Sequence, residues 1–181
     1  MPPSVASAPV AETVVCRGER FRLYLDPETI ARRVEAIGRA ISEEYAGRRP
    51  ILIGVLNGAY MFLADLMRSV TIDCEVDFLK LSSYGAEKVS SGAVTELKKI
   101  DAEIEGRHVI VVEDIVDTGL SMQFITDLLK ELKPASVKTV TLLHKKAATR
   151  PELGLTLDYG QLARNLPAIY ILDEDEPLGE G

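Results

Sequence analysis

The sequence predicts an α/β fold, a parallel sheet with helices on both faces. Short apolar runs rich in β-branched residues recur along the chain, and between them stand stretches with apolar residues at helical spacing. Alternation of this kind builds parallel crossover units whose helices cover the sheet. In chain order, "MPPSVASAPVAE" opens a flexible lead-in over residues 1–20. A helical pattern covers Pro27 to Tyr45, followed by the strand "ILIGVL" at 51–56. A second helix covers Ala59 to Arg68 and leads to the strand "EVDFLKL" at 75–81. A polar loop runs from Ser82 to Thr95 before the strand "HVIVVE" at 108–113. The third helix, Leu120 to Leu132, meets a stop at Lys133-Pro134, since proline cannot continue it. The strands "VKTVTLL" (137–143) and "AIYIL" (168–172) complete the set, and an acidic tail occupies 173–181.

At 181 residues, one domain accounts for the chain and buries about 70% of its unfolded surface. Hydrophobic residues at 46%, charged residues at 27% and a mean hydropathy of +0.08 are those of a soluble globular protein. The longest uncharged stretch, Pro50 to Ala64, holds Asn57 and two glycines and falls short of the roughly 18 apolar residues of a membrane span. With no signal-peptide pattern at its start, the chain reads as cytoplasmic. Cys16 and Cys74 stand far apart, as do His108 and His144, so neither a disulfide framework nor a zinc site is indicated. A net charge of -7 argues against a nucleic-acid surface and leaves room for a local basic pocket.

The stretch "HVIVVEDIVDTGLSM" (108–122) carries the chemistry. In parallel sheets, ligands bind beyond the carboxyl ends of the strands, where loops lead into helices. A helix N-terminus exposes N–H donors, so the turn "DTGLS" can wrap a phosphate with those donors and the Thr118 and Ser121 hydroxyls. Gly119 lets the backbone approach closely. The upstream carboxylates would repel that phosphate, but they can accept hydrogen bonds from sugar hydroxyls or hold a divalent metal. A ribose 5′-phosphate satisfies both halves. The simpler alternative is that Glu113 and Asp114 end a strand and Asp117 or Thr118 caps a helix. Capping needs one such residue, whereas five polar groups stand in the nine positions from Glu113 to Ser121. Neither a triphosphate-binding G-x-x-x-x-G-K-[ST] loop nor a dinucleotide-binding G-x-G-x-x-G is present.

"VIVVEDIVDTGLSM" resembles the phosphoribosyl-diphosphate signature of the type I phosphoribosyltransferases, and its neighbours resemble the hypoxanthine-guanine branch over residues 21–172. The resemblance implies a single-domain fold of that type. It implies that Glu113 and Asp114 hold the ribose hydroxyls, and that Asp117, Thr118, Gly119, Leu120 and Ser121 bind the 5′-phosphate. Asp117 would also act as general base or acid near the purine ring. "VLNGAYMF" resembles the pyrophosphate loop, so Leu56, Asn57, Gly58 and Ala59 would offer backbone N–H groups to the diphosphate, on a loop with a non-proline cis peptide. Read without the resemblance, 57–59 is a strand-to-helix turn. "LSSYG" falls at the family's mobile lid, where Ser83 and Tyr84 would close over the diphosphate; composition alone shows a polar loop there.

The resemblance also gives Lys145 the purine 6-oxo group, since an ammonium donates to a carbonyl and disfavours the amino group of adenine. A solvated lysine beside Lys146 is the alternative. In "LDYGQLARNLP", Asp158 would bind metal with Glu113 and Asp114, and Arg164 would contact the diphosphate. Between Lys145 and this signature the family carries a hood segment with an aromatic that stacks on the purine. Here only "KAATRPELGLT" connects them, and Tyr159 either stacks on a base or packs nearby. The implied enzyme uses Mg2+, phosphoribosyl diphosphate and a 6-oxopurine, and forms a homodimer or homotetramer. A regulatory protein that keeps the sugar-phosphate site without effective base chemistry is the second reading.

Overall fold

The computed structural model describes residues 10–83, 94–116, 119–144 and 169–172. The elements run β1 (Thr13–Cys16), β2 (Glu19–Leu25), α1 (Pro27–Glu44), β3 (Ile51–Leu56), α2 (Tyr60–Ser69), β4 (Glu75–Ser83), β5 (Val94–Lys98), β6 (His108–Val116), α3 (Leu120–Glu131), β7 (Ser136–His144) and β8 (Ile169–Leu172). Residues 33–159 form one compact unit, and residues 1–32 with 160–181 a second. No helix among the described residues is long and apolar enough to cross a membrane.

In the larger unit five strands form one sheet in the order β5-β4-β3-β6-β7. Strands β4, β3, β6 and β7 are parallel, and β5 closes one edge antiparallel to β4. Central strands of such a sheet are covered on both faces, which is why β3 and β6 read as unbroken apolar runs. Ile51, Ile53 and Val55 of β3, Leu79 of β4 and Val109 and Val111 of β6 share one core with Met122, Ile125 and Leu129 of α3. Those three helical residues recur at i, i+3 and i+7, a single stripe facing the sheet. On the opposite face α2 comes so near β3 that a Cβ on Gly54 would lie 2.7 Å from Leu63 Cδ2. Helices thus cover both faces, as the alternation predicts.

Helix α1 starts where Asp26 caps it, accepting the Thr29 backbone N–H at 2.9 Å and the Thr29 hydroxyl at 2.7 Å. Pro27 takes the first helical position, where an N–H would have no helical partner anyway. Further along, Gly38 presses on the end of α2, and a Cβ there would lie 2.8 Å from the Ser69 carbonyl carbon. The Ser42 hydroxyl donates to the Gly38 carbonyl at 2.7 Å and accepts the Thr71 N–H at 3.0 Å. These contacts seat the start of β4's approach to the sheet.

Three sequence expectations are corrected. The lead-in expected over 1–20 gives way at Thr13 to a hairpin, with Cys16 opposite Glu19. Its two-residue turn, Arg17-Gly18, has φ of 52° and 82°, the positive values that match the twist of paired strands. "AIYIL" does not extend the parallel sheet, because β8 pairs antiparallel with β2 in a separate sheet of order β1-β2-β8. Apolar alternation reveals a strand but not its partner. The polar loop of 82–95 is shorter than expected, since β4 runs on to Ser83 and β5 begins at Val94, the two being register partners.

A buried carboxylate that the sequence does not announce, Asp77, organises the β4–β5 edge. Asp77 Oδ1 accepts the Phe78 N–H at 2.6 Å and the Lys98 ammonium at 3.0 Å, while Oδ2 accepts the N–H groups of Asp101 and Ala102 at 2.6 and 2.9 Å. Burial pushes its pKa up, but the Ala102 and Phe78 N–H groups, Lys98 and the Asp101 N–H outweigh that, so the carboxyl titrates below its ordinary value. A lowered folded pKa gives stability that is present above the unfolded value of about 3.9 and is lost as pH falls through the folded one. Asp77→Asn, which turns an acceptor into a donor facing N–H groups, is expected to cost about 3 kcal/mol at neutral pH. Urea unfolding from pH 7 to pH 2 checks this. The variant should lose less stability on acidification than the parent, and parallel pH profiles would refute the role.

Candidate active site

The strand order creates the site. From β3 the chain crosses through α2 to β4 on one side, whereas from β6 it crosses through α3 to β7 on the other. The two crossovers diverge on opposite faces, leaving a crevice beyond the carboxyl ends of β3 and β6. Both motifs singled out by sequence open into it.

On the β3 side, Leu56 ends the strand and the Leu56–Asn57 peptide is cis, as the resemblance implies. Asn57 is exposed, Gly58 half-buried and Ala59 buried. The Ala59 N–H donates to the Val55 carbonyl at 3.1 Å, and its own carbonyl accepts the Leu63 N–H at 2.8 Å. Ala59 is therefore committed to starting α2, and its N–H is not presented to a ligand as expected. A hydrogen bond within the turn outranks one that awaits a ligand.

On the β6 side, Glu113 and Asp114 are half-buried inside the strand, which does not end at 113 as the sequence suggests but stays paired with β7 as far as Val116. The Asp114 N–H donates to Glu113 Oε1 at 3.1 Å, and the Ile115 N–H donates to Asp114 Oδ1 at 2.9 Å. The two motifs meet here: a Cβ on Gly58 would lie 2.5 Å from Asp114 Oδ1 and 2.7 Å from Oδ2. The backbone of the β3 loop thus lies directly on the Asp114 carboxylate, which only glycine allows. Gly119 follows as the N-cap of α3 with φ of 82°, a left-handed turn that suits glycine, and its carbonyl accepts the Gln123 N–H at 2.9 Å. Leu120 and Ser121, in the first turn of α3, are exposed, and no acid stands in that turn.

The register brings Val116 opposite His144, the last described residues of β6 and β7 before the site segments. Asp117 and Thr118 follow the first and Lys145 the second. They lie outside the described residues, as do Tyr84, Asp158 and Arg164. Ser83 is described by its backbone pairing with Val94. The structure thus joins Leu56 to Ala59, Glu113, Asp114 and Gly119 to Ser121 at one end of the sheet.

The family model described as "Phosphoribosyl transferase domain" matches residues 24–159, covering both motifs and the strands that carry them. The chain belongs to the phosphoribosyltransferase family. Within it, the hypoxanthine-guanine phosphoribosyltransferase of Aquifex aeolicus is 37% identical over 87% of this chain and 98% of its own length. The bifunctional protein TilS/HprT of Listeria monocytogenes is 39% identical over 83% of this chain. The phosphoribosyltransferase chain spans about a quarter of that relative, 26% of its length. A crystal structure of a hypoxanthine-guanine phosphoribosyltransferase from Bacillus anthracis superposes with a TM-score of 0.73 and 34% identity, covering 83% of this chain and 97% of that one. The Aquifex alignment runs over 174 positions, more than 87% of a 181-residue chain supplies. The relative therefore carries residues that have no counterpart in this phosphoribosyltransferase.

Proposed function

We propose that the chain transfers the phosphoribosyl group of 5-phosphoribosyl 1-diphosphate to hypoxanthine or guanine, giving IMP or GMP and diphosphate. The observation that carries the reading is the contact of Gly58 with Asp114 at the switch point of the sheet. It supports the reading because the loop proposed for the diphosphate then lies beside the carboxylate proposed for the ribose, as one sugar carbon with its leaving group requires.

In this reading the Glu113 and Asp114 carboxylates accept hydrogen bonds from the ribose hydroxyls. The turn from Asp117 to Ser121 takes the 5′-phosphate, and backbone N–H groups of Leu56, Asn57 and Gly58 face the diphosphate, joined by Arg164. The bond from the sugar to the diphosphate oxygen breaks as the bond to a purine nitrogen forms, and the diphosphate leaves with the electron pair. Asp117 receives the proton that the purine nitrogen loses. Lys145 donates to the 6-oxo group, while Ser83 and Tyr84 cover the diphosphate from water.

Magnesium fits the donor set. Glu113 and Asp114 are hard oxygen ligands fixed by neighbouring N–H groups, and Mg2+ is usually held by one or two carboxylates together with substrate oxygens. Among the described residues no three acids, histidines or cysteines gather into a cage, which such a substrate-completed site does not need. Glu113 and Asp114, with Asp158, would hold the ion, and when bound it supplies positive charge against the diphosphate oxygens. A cytoplasmic homodimer or homotetramer completes the proposal.

The short connection "KAATRPELGLT" before the final signature favours a second reading, a regulatory phosphoribosyl-diphosphate-binding protein without effective base chemistry. Incubation with magnesium, phosphoribosyl diphosphate and hypoxanthine or guanine in turn separates the two. Nucleoside monophosphate and diphosphate in equal amounts are expected. Tight binding of the sugar diphosphate with no product from either purine would overturn the transferase reading in favour of the regulatory one.

A further inference from the structure

We propose that Lys80 is a further binding residue for the diphosphate of phosphoribosyl diphosphate, reaching it from the neighbouring strand; this rests on the function proposed above. Neither sequence motif contains this residue, and the sheet register brings it to the site. In the parallel pairing of β3 with β4, Gly54 lies opposite Phe78 and Leu56 opposite Lys80. A Cβ on Gly54 would meet Leu63 Cδ2 at 2.7 Å and Phe78 Cδ1 at 3.2 Å, so Phe78 is on the face that α2 covers. Side chains alternate along a strand, so Lys80 shares that face two residues further on. It stands level with Leu56, where β3 gives way to the loop proposed to hold the diphosphate.

The charges around it are one-sided. Lys80 is half-buried, and no carboxylate pairs with it among the described residues. Its antiparallel partner in β5 is another lysine, Lys98, whose ammonium is matched by Asp77 at 3.0 Å and Asp101 at 3.1 Å. Side chains alternate along β4, so the Asp77 carboxylate that neutralises Lys98 lies on the face opposite Lys80 and does not serve it. Helix α2 adds to the imbalance, because it begins beside Leu56 with no acid in its first turn and no side-chain cap on its N-terminus. The positive end of the helix and a half-buried lysine thus stand at the same end of the sheet, with no anion paired to either among the described residues. An anion at the 56–58 loop would relieve both, and the diphosphate is the part of the substrate assigned there. The product nucleotide keeps its 5′-phosphate at α3 and has nothing at this position. Lys80 therefore discriminates substrate from product.

The test compares the parent with Lys80→Met and Lys80→Arg, by titration calorimetry with inorganic diphosphate and with IMP in the presence of magnesium, and by steady-state kinetics. Loss of one charge-assisted hydrogen bond should weaken diphosphate binding and raise the KM for phosphoribosyl diphosphate about tenfold in Lys80→Met. IMP affinity and the KM for the purine should hold within twofold, and Lys80→Arg should recover most of the loss. Unchanged diphosphate affinity in a folded Lys80→Met, or an equal loss for IMP, would overturn the inference while the parent's activity leaves the proposed function standing. Should Lys80→Met fail to fold, Lys80→Gln takes its place with the same two outcomes. A parent that forms no nucleotide sinks the proposed function itself.

Discussion

Gly58→Ala is expected to lower kcat/KM for phosphoribosyl diphosphate by about a hundredfold, the cost of moving a positioning group by roughly an ångström. The added Cβ would lie 2.5 Å from Asp114 Oδ1, a distance that real contacts do not sustain, and the obstacle is a carboxylate held by the Ile115 N–H. Either the loop lifts from β6 or Asp114 swings out of its hydrogen bond, and each movement separates the sugar site from the diphosphate site. Gly58 lies outside the apolar core, so melting temperature should shift by only a few degrees, consistent with a loss below about 1 kcal/mol. The pair can be separated further. Asp114→Ala removes the obstacle, and adding Gly58→Ala on that background should cost far less than it does alone. If Gly58→Ala retains half of the parent's kcat/KM, the two motifs do not share one site.

Asp117→Asn should reduce kcat by about a hundredfold to ten-thousandfold, the range for removing a positioned acid or base, with the KM for phosphoribosyl diphosphate within threefold. An asparagine keeps the shape of the turn and can still accept one hydrogen bond, but it cannot take the purine proton. The split between turnover and substrate binding is the diagnostic. Equal losses in both would show that Asp117 works on the phosphate turn and not on the base. A flattened acidic limb in the pH dependence of kcat should accompany the loss.

Much of the architecture can be read from the residues themselves. β3 and β6 are continuous apolar runs because both faces of a central parallel strand are covered, so "ILIGVL" and "HVIVVE" declare themselves without help. The stripes of α1 and α3 do the same at helical spacing, and Lys133-Pro134 marks the stop just past α3. The strand "AIYIL" shows the limit, since its pattern is that of a strand in either kind of sheet and its antiparallel partner β2 lies far away in sequence. Strand pairing depends on neighbours that a local pattern does not name. The hairpin of β1 and β2 was hidden for another reason: its turn is Arg-Gly, with one side chain carried at positive φ, and its first strand is only four residues long.

By itself the sequence determined the local chemistry of this phosphoribosyltransferase: carboxylates late in an apolar run followed by a glycine turn set the groups proposed for the sugar apart from those proposed for the phosphate, because local charge and backbone freedom are properties of neighbouring residues. Tertiary structure decided which distant groups cooperate. Gly58 meets Asp114 across the switch point, Lys80 comes level with Leu56 through the register of β3 and β4, Asp77 gathers donors from Phe78 to Ala102, and the Ala59 N–H is taken by Val55. The reason is physical: hydrogen-bond partners and the register of a sheet are chosen by three-dimensional packing among strands far apart in the chain, and no window of sequence contains both members of such a pair.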